Sequence, residues 1–173
     1  MSTTTRRALV TFAAALACCT FSVQAADPVF TATMDGAQNL PEPIKTAATG
    51  KIELRLSADG KQVAYTVTVD KIVNASEANI HLGPPNQNGP LVVNLWPRSG
   101  TTTRKGEFSG VLAQGTFTAA DLTGPMAGSP LADLIDELRA GNAYANVHTS
   151  DGNAASTPGP GNYRWGEIRG QFH

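Results

Sequence analysis

Apolar and polar residues alternate along two neighbouring stretches of the chain. Ile52, Leu54 and Leu56 alternate with polar residues, and the same period of two returns between residues 63 and 69. Successive side chains of a strand point to opposite faces, so each stretch predicts a strand with one apolar face. An Asp-Gly pair at residues 59–60 lies between them and favours a tight turn. The pattern therefore predicts an antiparallel β-hairpin.

Shorter runs of apolar or alternating residues, bounded by glycine, proline or asparagine, predict further strands. They cover residues 30–34, 78–82, 91–96, 107–112, 116–118, 143–149 and 166–172. Short strands with turns about every ten residues are typical of an antiparallel sandwich or barrel. We predict an all-β fold, in the form of an antiparallel β-sandwich.

One segment, near residues 130–140, has a helical period instead. Ser129 can cap a helix, Pro130 suits its first position, and Gly141 suits the position after its end. We expect this short helix to pack on an open end of the sheets. Its apolar residues follow the spacing i, i+3, i+4 and i+7, at Leu131, Leu134, Ile135 and Leu138.

The N-terminus has the pattern of a secretory signal peptide. Arg6 and Arg7 precede an uncharged run that ends in small residues at Ala25. The run is shorter than the roughly 20 apolar residues that a membrane-spanning helix needs. We therefore predict a signal peptide over residues 1–25, one domain over residues 26–173, and no membrane span in the mature chain.

Two export routes fit this leader. The adjacent arginines resemble a twin-arginine signal, and such a pair is also common in leaders of the general secretory (Sec) route. The segment before Cys18 resembles a lipoprotein cleavage site, but Ala15 stands where such sites prefer a larger aliphatic residue. We expect an exported protein, periplasmic or secreted, and rank lipidation at Cys18 below both routes.

The composition indicates which partners are not expected for this protein and what can stabilise its fold. The net charge is −1 and charged residues make up 16% of the chain, so no basic excess is present to neutralise phosphates. We expect no nucleic-acid partner. Both cysteines, Cys18 and Cys19, lie in the predicted leader. The mature chain would therefore lack disulfides and would depend on its apolar core.

Polar residues on three predicted strands are the candidates for chemistry. Residues two apart on a strand share a face, so neighbouring strands would bring imidazoles, amides, a carboxylate and a guanidinium together. These residues are Asn79 and His81 on one strand, Tyr144, Asn146 and His148 on a second, and Glu167, Arg169 and Gln171 on a third.

Two interpretations of these residues stay open. In the first, Asn79, Asn146, Glu167 and Arg169 form a hydrogen-bonded polar or binding cluster with the histidines. In the second, His81 and His148 bind copper or zinc, with His173 or Glu167 as a third ligand. Two histidines alone are too few for a tight site, so we expect no cofactor and keep the metal as the alternative.

Known catalytic motifs are missing from the chain. It has no Gly-x-Ser-x-Gly turn, no phosphate-binding loop and no His-Glu-x-x-His pair. We expect no enzymatic activity. Trp96 and Trp165 could stack on a sugar, although packing in the core or at its rim is the more usual role of tryptophan.

Four segments, taken together, resemble the CHRD domain in order and spacing: Ala78–Gly83, Asn88–Val92, Tyr144–Thr149 and Gly166–Gln171. The resemblance covers about residues 29–172. This family is named after chordin and is abundant in exported bacterial proteins. It implies a β-sandwich similar to Cu/Zn superoxide dismutase and to immunoglobulin domains, and it implies no established activity.

One residue departs from the family pattern. The family usually has two histidines on the first of these strands, and here Asn79 replaces the first. An amide is a poor ligand for copper or zinc, so a dismutase site is not carried over. We predict a non-enzymatic binding or structural module whose partner is an unidentified extracytoplasmic protein or surface ligand. The alternative is a copper- or zinc-binding protein that uses His81 and His148 in a redox role.

Overall fold

The computed structural model describes residues 28–97, 103–153 and 155–173. The predicted leader and Cys18 lie outside these ranges, so the signal peptide stays a prediction. The helix α1 covers Leu131–Arg139. The strands are β1 (Val29–Asp35), β2 (Thr49–Leu56), β3 (Val63–Leu82), β4 (Leu91–Trp96), β5 (Arg104–Phe117), β6 (Ala143–Thr149) and β7 (Ile168–Gln171).

The strand β3 pairs with four other strands of one seven-stranded antiparallel sheet. Its first half pairs with β2 and β5, and its second half pairs with β6 and β4. The pairing with β5 shifts register between Val69 and Ile72, and both Lys71 and Asn74 have φ of 52°. Irregularities of this kind bend a strand, so the two halves of β3 pair with different neighbours around the closed sheet.

The sheet also closes on itself through its other strands. There β1 pairs with β7 through Asp35 and Arg169, so the order β2-β1-β7-β6-β3 returns to β2. The predicted all-β antiparallel fold with one short helix is confirmed. The contact between β1 and β7 gives the sandwich a closed, barrel-like arrangement.

The core is formed by the predicted apolar faces. Ile52, Leu54 and Val67 are at most 1% exposed, and the apolar stripe of α1 joins the same cluster of buried side chains. The apolar residues of each strand or helix lie on one face of that element, because they recur with its period. Packing that face against the core therefore buries all of them.

Several predicted boundaries are corrected by the structure. The stretches 63–69 and 78–82 belong to one strand, β3, and 107–112 and 116–117 belong to β5, which ends before residue 118. The helix starts at Leu131, and the extended Pro130 (ψ 147°) stands at its N-cap without a side-chain cap bond. Ser129 therefore does not cap it. Within the described residues, no helix is long and apolar enough to cross a membrane.

Candidate functional site

The polar faces of three strands meet on one side of the sheet formed by β7, β6 and β3. Asn146 on β6 lies opposite Asn79 on β3 and opposite Arg169 on β7. His81 lies opposite Tyr144. Directly paired residues of antiparallel strands share a face, so the predicted convergence of amides, imidazole and guanidinium takes place.

A cavity of about 420 Å³ lies over this polar face. Its walls come from the segment after β1, the connection between β3 and β4, and the connection between β6 and β7. The first two contribute Pro41 and Gly89, and the third contributes Trp165. The floor consists of His81, Tyr144, Asn146, His148 and Arg169.

Both histidines of the cavity are held through Nδ1. His81 Nδ1 lies 3.0 Å from the carbonyl oxygen of Gly89, and His148 Nδ1 bonds the carbonyl oxygen of Arg164. A carbonyl oxygen only accepts, so Nδ1 carries the proton in each ring and Nε2 keeps a lone pair. Both Nε2 atoms are buried and have no partner in the described part of the chain. The floor therefore presents two imidazole acceptors.

The environment of these imidazoles favours their neutral form. Burial lowers the pKa of both His81 and His148 below the ordinary value of about 6.5. The hydrogen bonds to Gly89 and Arg164 and the carboxylate of Glu77 oppose this shift of the pKa without reversing it. At neutral pH both rings are uncharged acceptors.

Arg169 places a positive charge under the same cavity. Its guanidinium lies 3.9 Å from the centre of the Tyr144 ring, and only 3% of the residue is exposed. Nη2 donates to Gln171 Oε1 at 3.0 Å and more weakly to the carbonyl of Gln87 at 3.4 Å. Nε is buried without a partner. Among the described side chains, no carboxylate forms an ion pair with it.

The amides of the predicted cluster differ in their positions. Asn146 lines the cavity, and its Oδ1 has no partner. Asn79 is 1% exposed and donates through Nδ2 to Glu77 Oε2 at 3.2 Å. Asn79 is not among the residues that line the cavity. It therefore stands beside the floor.

Glu167 is not among the residues that line the cavity, whereas Arg169 is. Its carboxylate accepts hydrogen bonds from Thr46 Oγ1 (2.6 Å), Thr149 Oγ1 (2.7 Å) and Gly161 N (2.8 Å). The strand β7 starts only at Ile168, so Glu167 lies outside it. Its role is to tie the two segments that flank the cavity to the sheet.

A comparison with known protein families shows to which family this chain belongs. A family model described as the CHRD domain matches residues 30–156, which is more than half of the chain. The chain belongs to the CHRD domain family. No curated protein and no solved structure matches it. The match to the CHRD domain includes His81, Tyr144 and His148 and ends before Trp165 and Arg169.

The third predicted metal ligand of this CHRD domain lies elsewhere. His173 is exposed, and its Nε2 lies 3.3 Å from Thr31 Oγ1 beside β1. The rings of His81 and His148 are nearly parallel, with centroids 6.5 Å apart. Within the described ranges, no three His, Cys, Asp or Glu residues are grouped so that they could hold a metal ion.

The two tryptophans of the CHRD domain have different surroundings. Trp96 is partly buried and packs against the core, whereas Trp165 is 94% exposed. Trp165 stands at the rim of the polar cavity and also borders a second cavity of about 490 Å³. Leu40 and Pro41 line both cavities too. Sequence reasoning named Trp165 but had no signal for the segments around it, because their contacts follow no period.

Proposed function

We propose that this CHRD domain is a non-enzymatic binding module that holds a small polar ligand in the cavity over β6 and β7. One observation carries the proposal. Four residues that line one cavity carry buried hydrogen-bonding atoms without a partner in the described part of the chain: Nε2 of His81, Nε2 of His148, Oδ1 of Asn146 and Nε of Arg169. Such atoms are costly when left unpaired, and a ligand that pairs with them stabilises the folded chain.

The surroundings of the histidines favour binding over catalysis. A catalytic histidine normally bonds a nucleophile on one nitrogen and an orienting group on the other. Here a backbone carbonyl orients each Nδ1, but in the described part of the chain no nucleophile bonds either Nε2 atom. The nearby hydroxyl group of Tyr144 contacts Gly89 instead. The buried Glu167 is already saturated by three donors.

The proposed location is the periplasm or the cell exterior. The support is the predicted leader over residues 1–25 and the restriction of cysteine to that leader. A ligand of the cell surface or its surroundings would then be the partner. N-terminal sequencing of protein recovered from the exported fraction should begin at Ala26, and retention in the cytoplasm would contradict export.

The binding function is tested by thermal unfolding of the exported protein with a panel of sugars, organic acids and amino acids. A ligand whose free concentration is 100 times its Kd raises the free energy of unfolding by about 2.7 kcal/mol. For a domain of this size the Tm then rises by about 5–10 °C. His81→Phe keeps a ring against Tyr144 but removes the acceptor, so it should reduce the shift. The matched control is His173→Phe, on an exposed residue away from the cavity.

Native mass spectrometry of the same preparation supplies an independent readout. A small molecule that co-purifies with the wild type and is missing from His81→Phe supports the proposal. If no member of the panel raises the Tm and no small molecule co-purifies, the cavity is not a binding site.

A second candidate function is copper or zinc binding at His81 and His148. It is favoured by the free Nε2 atoms, since metal-bound histidines usually donate their other nitrogen to a carbonyl or carboxylate. Against it, the ion would have two imidazole donors where zinc sites have three or four protein ligands. The nearby cation of Arg169 would also repel it.

Elemental analysis decides this candidate. Protein purified without chelator and exposed to copper or zinc should retain close to one ion per chain. The ion should be lost from both His81→Ala and His148→Ala and kept by His173→Ala. Equal metal content in all four proteins would rule out a site at these two histidines.

A further inference from the structure

We propose that the ligand of the polar cavity is an acidic sugar, a hexuronate unit whose carboxylate pairs with Arg169 and whose ring lies against Trp165. This inference rests on the proposed binding function and names its ligand class. Three independent features of the cavity lead to it: an unpaired buried cation, a set of unpaired acceptors, and an exposed aromatic face at the rim.

The first feature is the charge of the cavity. Arg169 is 3% exposed and lines a cavity to which none of the described Asp and Glu residues contributes. A buried charge without a counter-ion is unfavourable, because the charged group loses its contact with water and gains no ionic partner in exchange. Nε of Arg169 is free of partners, and a carboxylate oxygen is the strongest acceptor for such a donor. The cavity therefore suits a ligand with a negative charge.

The second feature is the surplus of acceptors beside this cation. The Nε2 atoms of His81 and His148 and the Oδ1 atom of Asn146 are buried and unpartnered. A simple carboxylate such as acetate has no proton to offer them, whereas sugar hydroxyl groups donate. A ligand that satisfies the whole floor therefore combines one carboxylate with several hydroxyl groups.

The protonation state of the imidazoles agrees with this assignment. Burial holds the pKa of both histidines low, so they accept from hydroxyl groups at neutral pH. The other groups that act on these rings are the guanidinium of Arg169 and the carboxylate of Glu77. With both imidazoles neutral, Arg169 is the one charged side chain among the described residues of the floor, and its charge suits a single carboxylate on the ligand.

The third feature is the aromatic rim. Trp165 is 94% exposed at the edge of the cavity, with Leu40 and Pro41 beside it. The flat apolar face of an indole suits the C–H face of a pyranose ring. The cavity volume of about 420 Å³ lies within the range of small-ligand sites.

The neighbouring cavity suggests where a longer ligand would continue. The second cavity, of about 490 Å³, shares Leu40, Pro41 and Trp165 with the first and is bordered by Ile44 and Pro158. A saccharide chain could place its acidic unit on Arg169 and lay the next unit across Trp165. A free uronic acid and a polyuronide are two sources of the same chemistry, and the experiment below separates them.

The test is titration calorimetry on the exported protein at pH 7.5 with five probes: galacturonate, galactose, glucuronate, acetate and a galacturonate trimer. We expect at least one of the two hexuronates to bind at least tenfold more tightly than galactose and acetate. If the source is a polyuronide, the trimer binds at least fivefold more tightly than galacturonate. Equal affinity for the two indicates the free acid.

Variants separate the parts of the site. Arg169→Gln should lower hexuronate affinity at least tenfold and bring it to the level of galactose, with Arg55→Gln, on an exposed residue paired with Glu53, as the control. Because the buried Arg169 also stacks on Tyr144, its loss could impair folding. Trp165→Ala changes an exposed side chain and should weaken hexuronate binding at least fivefold while leaving acetate affinity unchanged.

The outcomes separate a failure of this inference from a failure of the proposed binding function on which it rests. Galactose binding as tightly as galacturonate, with loss in His81→Phe, would overturn the acidic ligand and keep the binding function. Hexuronate binding unaffected by both Trp165→Ala and Arg169→Gln would overturn the assigned site. If none of the five probes binds, the inference fails, and the panel described above decides whether the binding function fails with it.

Discussion

The imidazole of His81 stacks on the ring of Tyr144, with centroids 5.0 Å apart and planes 14° from parallel. The two residues are paired across β3 and β6, and both reach the same backbone unit. Gly89 donates its N–H to Tyr144 Oη at 3.2 Å, and its carbonyl oxygen lies 3.0 Å from His81 Nδ1 and 3.3 Å from Tyr144 Oη. This glycine therefore sets the orientation of the histidine.

Removing the hydroxyl group of Tyr144 tests this arrangement. Tyr144→Phe keeps the ring against His81 but deletes both contacts with Gly89. We expect a loss of about 1–2 kcal/mol in the free energy of unfolding, since each hydrogen bond contributes about 1 kcal/mol. Urea unfolding followed by circular dichroism measures it. An unchanged midpoint would show that the two contacts do not hold the connection between β3 and β4.

The backbone of Gly89 leaves no room for a side chain. A Cβ atom at this position would lie 1.7 Å from the carbonyl oxygen of Leu82, so Gly89→Ala forces the connection to move. We expect about 1–3 kcal/mol of destabilisation, as for other overpacked positions. Displacing the Gly89 carbonyl should also free His81 Nδ1 and weaken any ligand bound in the cavity.

Gly159→Ala is the matched control for this variant. No heavy atom lies within 4 Å of a Cβ atom at Gly159, and its backbone is not in the left-handed region. Its free energy of unfolding should change by less than about 0.5 kcal/mol. Equal destabilisation of the two variants would mean that the close approach to Leu82 is not the cause.

The fold was predictable from the sequence where a single period covers a whole element. The hairpin of β2 and β3 and the helix α1 are of this kind, because one face of each is apolar throughout. The continuity of β3 was not predictable in this way. Lys71 and Asn74 have positive φ within this strand. Residues with positive φ are uncommon and lie mostly in turns, so the sequence pattern predicted that the strand ends before them.

The candidate site was predictable only in part, for a related reason. A period of two told which side chains share a face, and the pairing of Asn146 with Arg169 then brought the faces together. The same rule did not predict the hydrogen-bond partners of Glu167, which precedes the first residue of β7. The walls of the cavity depend on tertiary contacts such as Asn39 Nδ2 to the Glu167 carbonyl, at 2.6 Å. Asn39 and Glu167 are 128 positions apart in the sequence, and no local pattern predicts a contact between residues so far apart.

The buried carboxylate of Glu167 should be important for stability. Glu167→Gln replaces an acceptor of three hydrogen bonds with an amide whose nitrogen faces donors. Hydrogen bonds to charged groups contribute about 1.5–3 kcal/mol each, so a loss of about 2–4 kcal/mol is expected after partial rearrangement. Thermal and urea unfolding measure this loss.

Glu53→Gln provides the comparison for the same chemical change at the surface. Glu53 forms exposed ion pairs with Arg55 and Lys51, and exposed pairs contribute about 0.2–1 kcal/mol. Hydrogen exchange should also show faster exchange of the Gly161 amide in Glu167→Gln and not in Glu53→Gln. Equal losses in the two variants would remove the structural role assigned to the buried carboxylate.

The stability of the protein should fall as the pH drops below about 6.5, the ordinary imidazole pKa. Burial lowers the pKa of His81 and His148 in the folded chain, so the unfolded chain binds more protons between the unfolded and folded pKa values. Stability is therefore complete above pH 6.5 and decreases with falling pH, by at most about 1.4 kcal/mol per pH unit for each histidine.

Urea unfolding at half-unit steps from pH 7.5 to pH 5.5 measures this slope. His148→Gln keeps a polar side chain at the position but removes the titrating group, so the slope should decrease towards that of one histidine. A wild-type free energy of unfolding that is flat over this range would show that the two imidazoles are protonated equally in the folded and unfolded chains, and their neutral, acceptor state in the cavity would have to be abandoned.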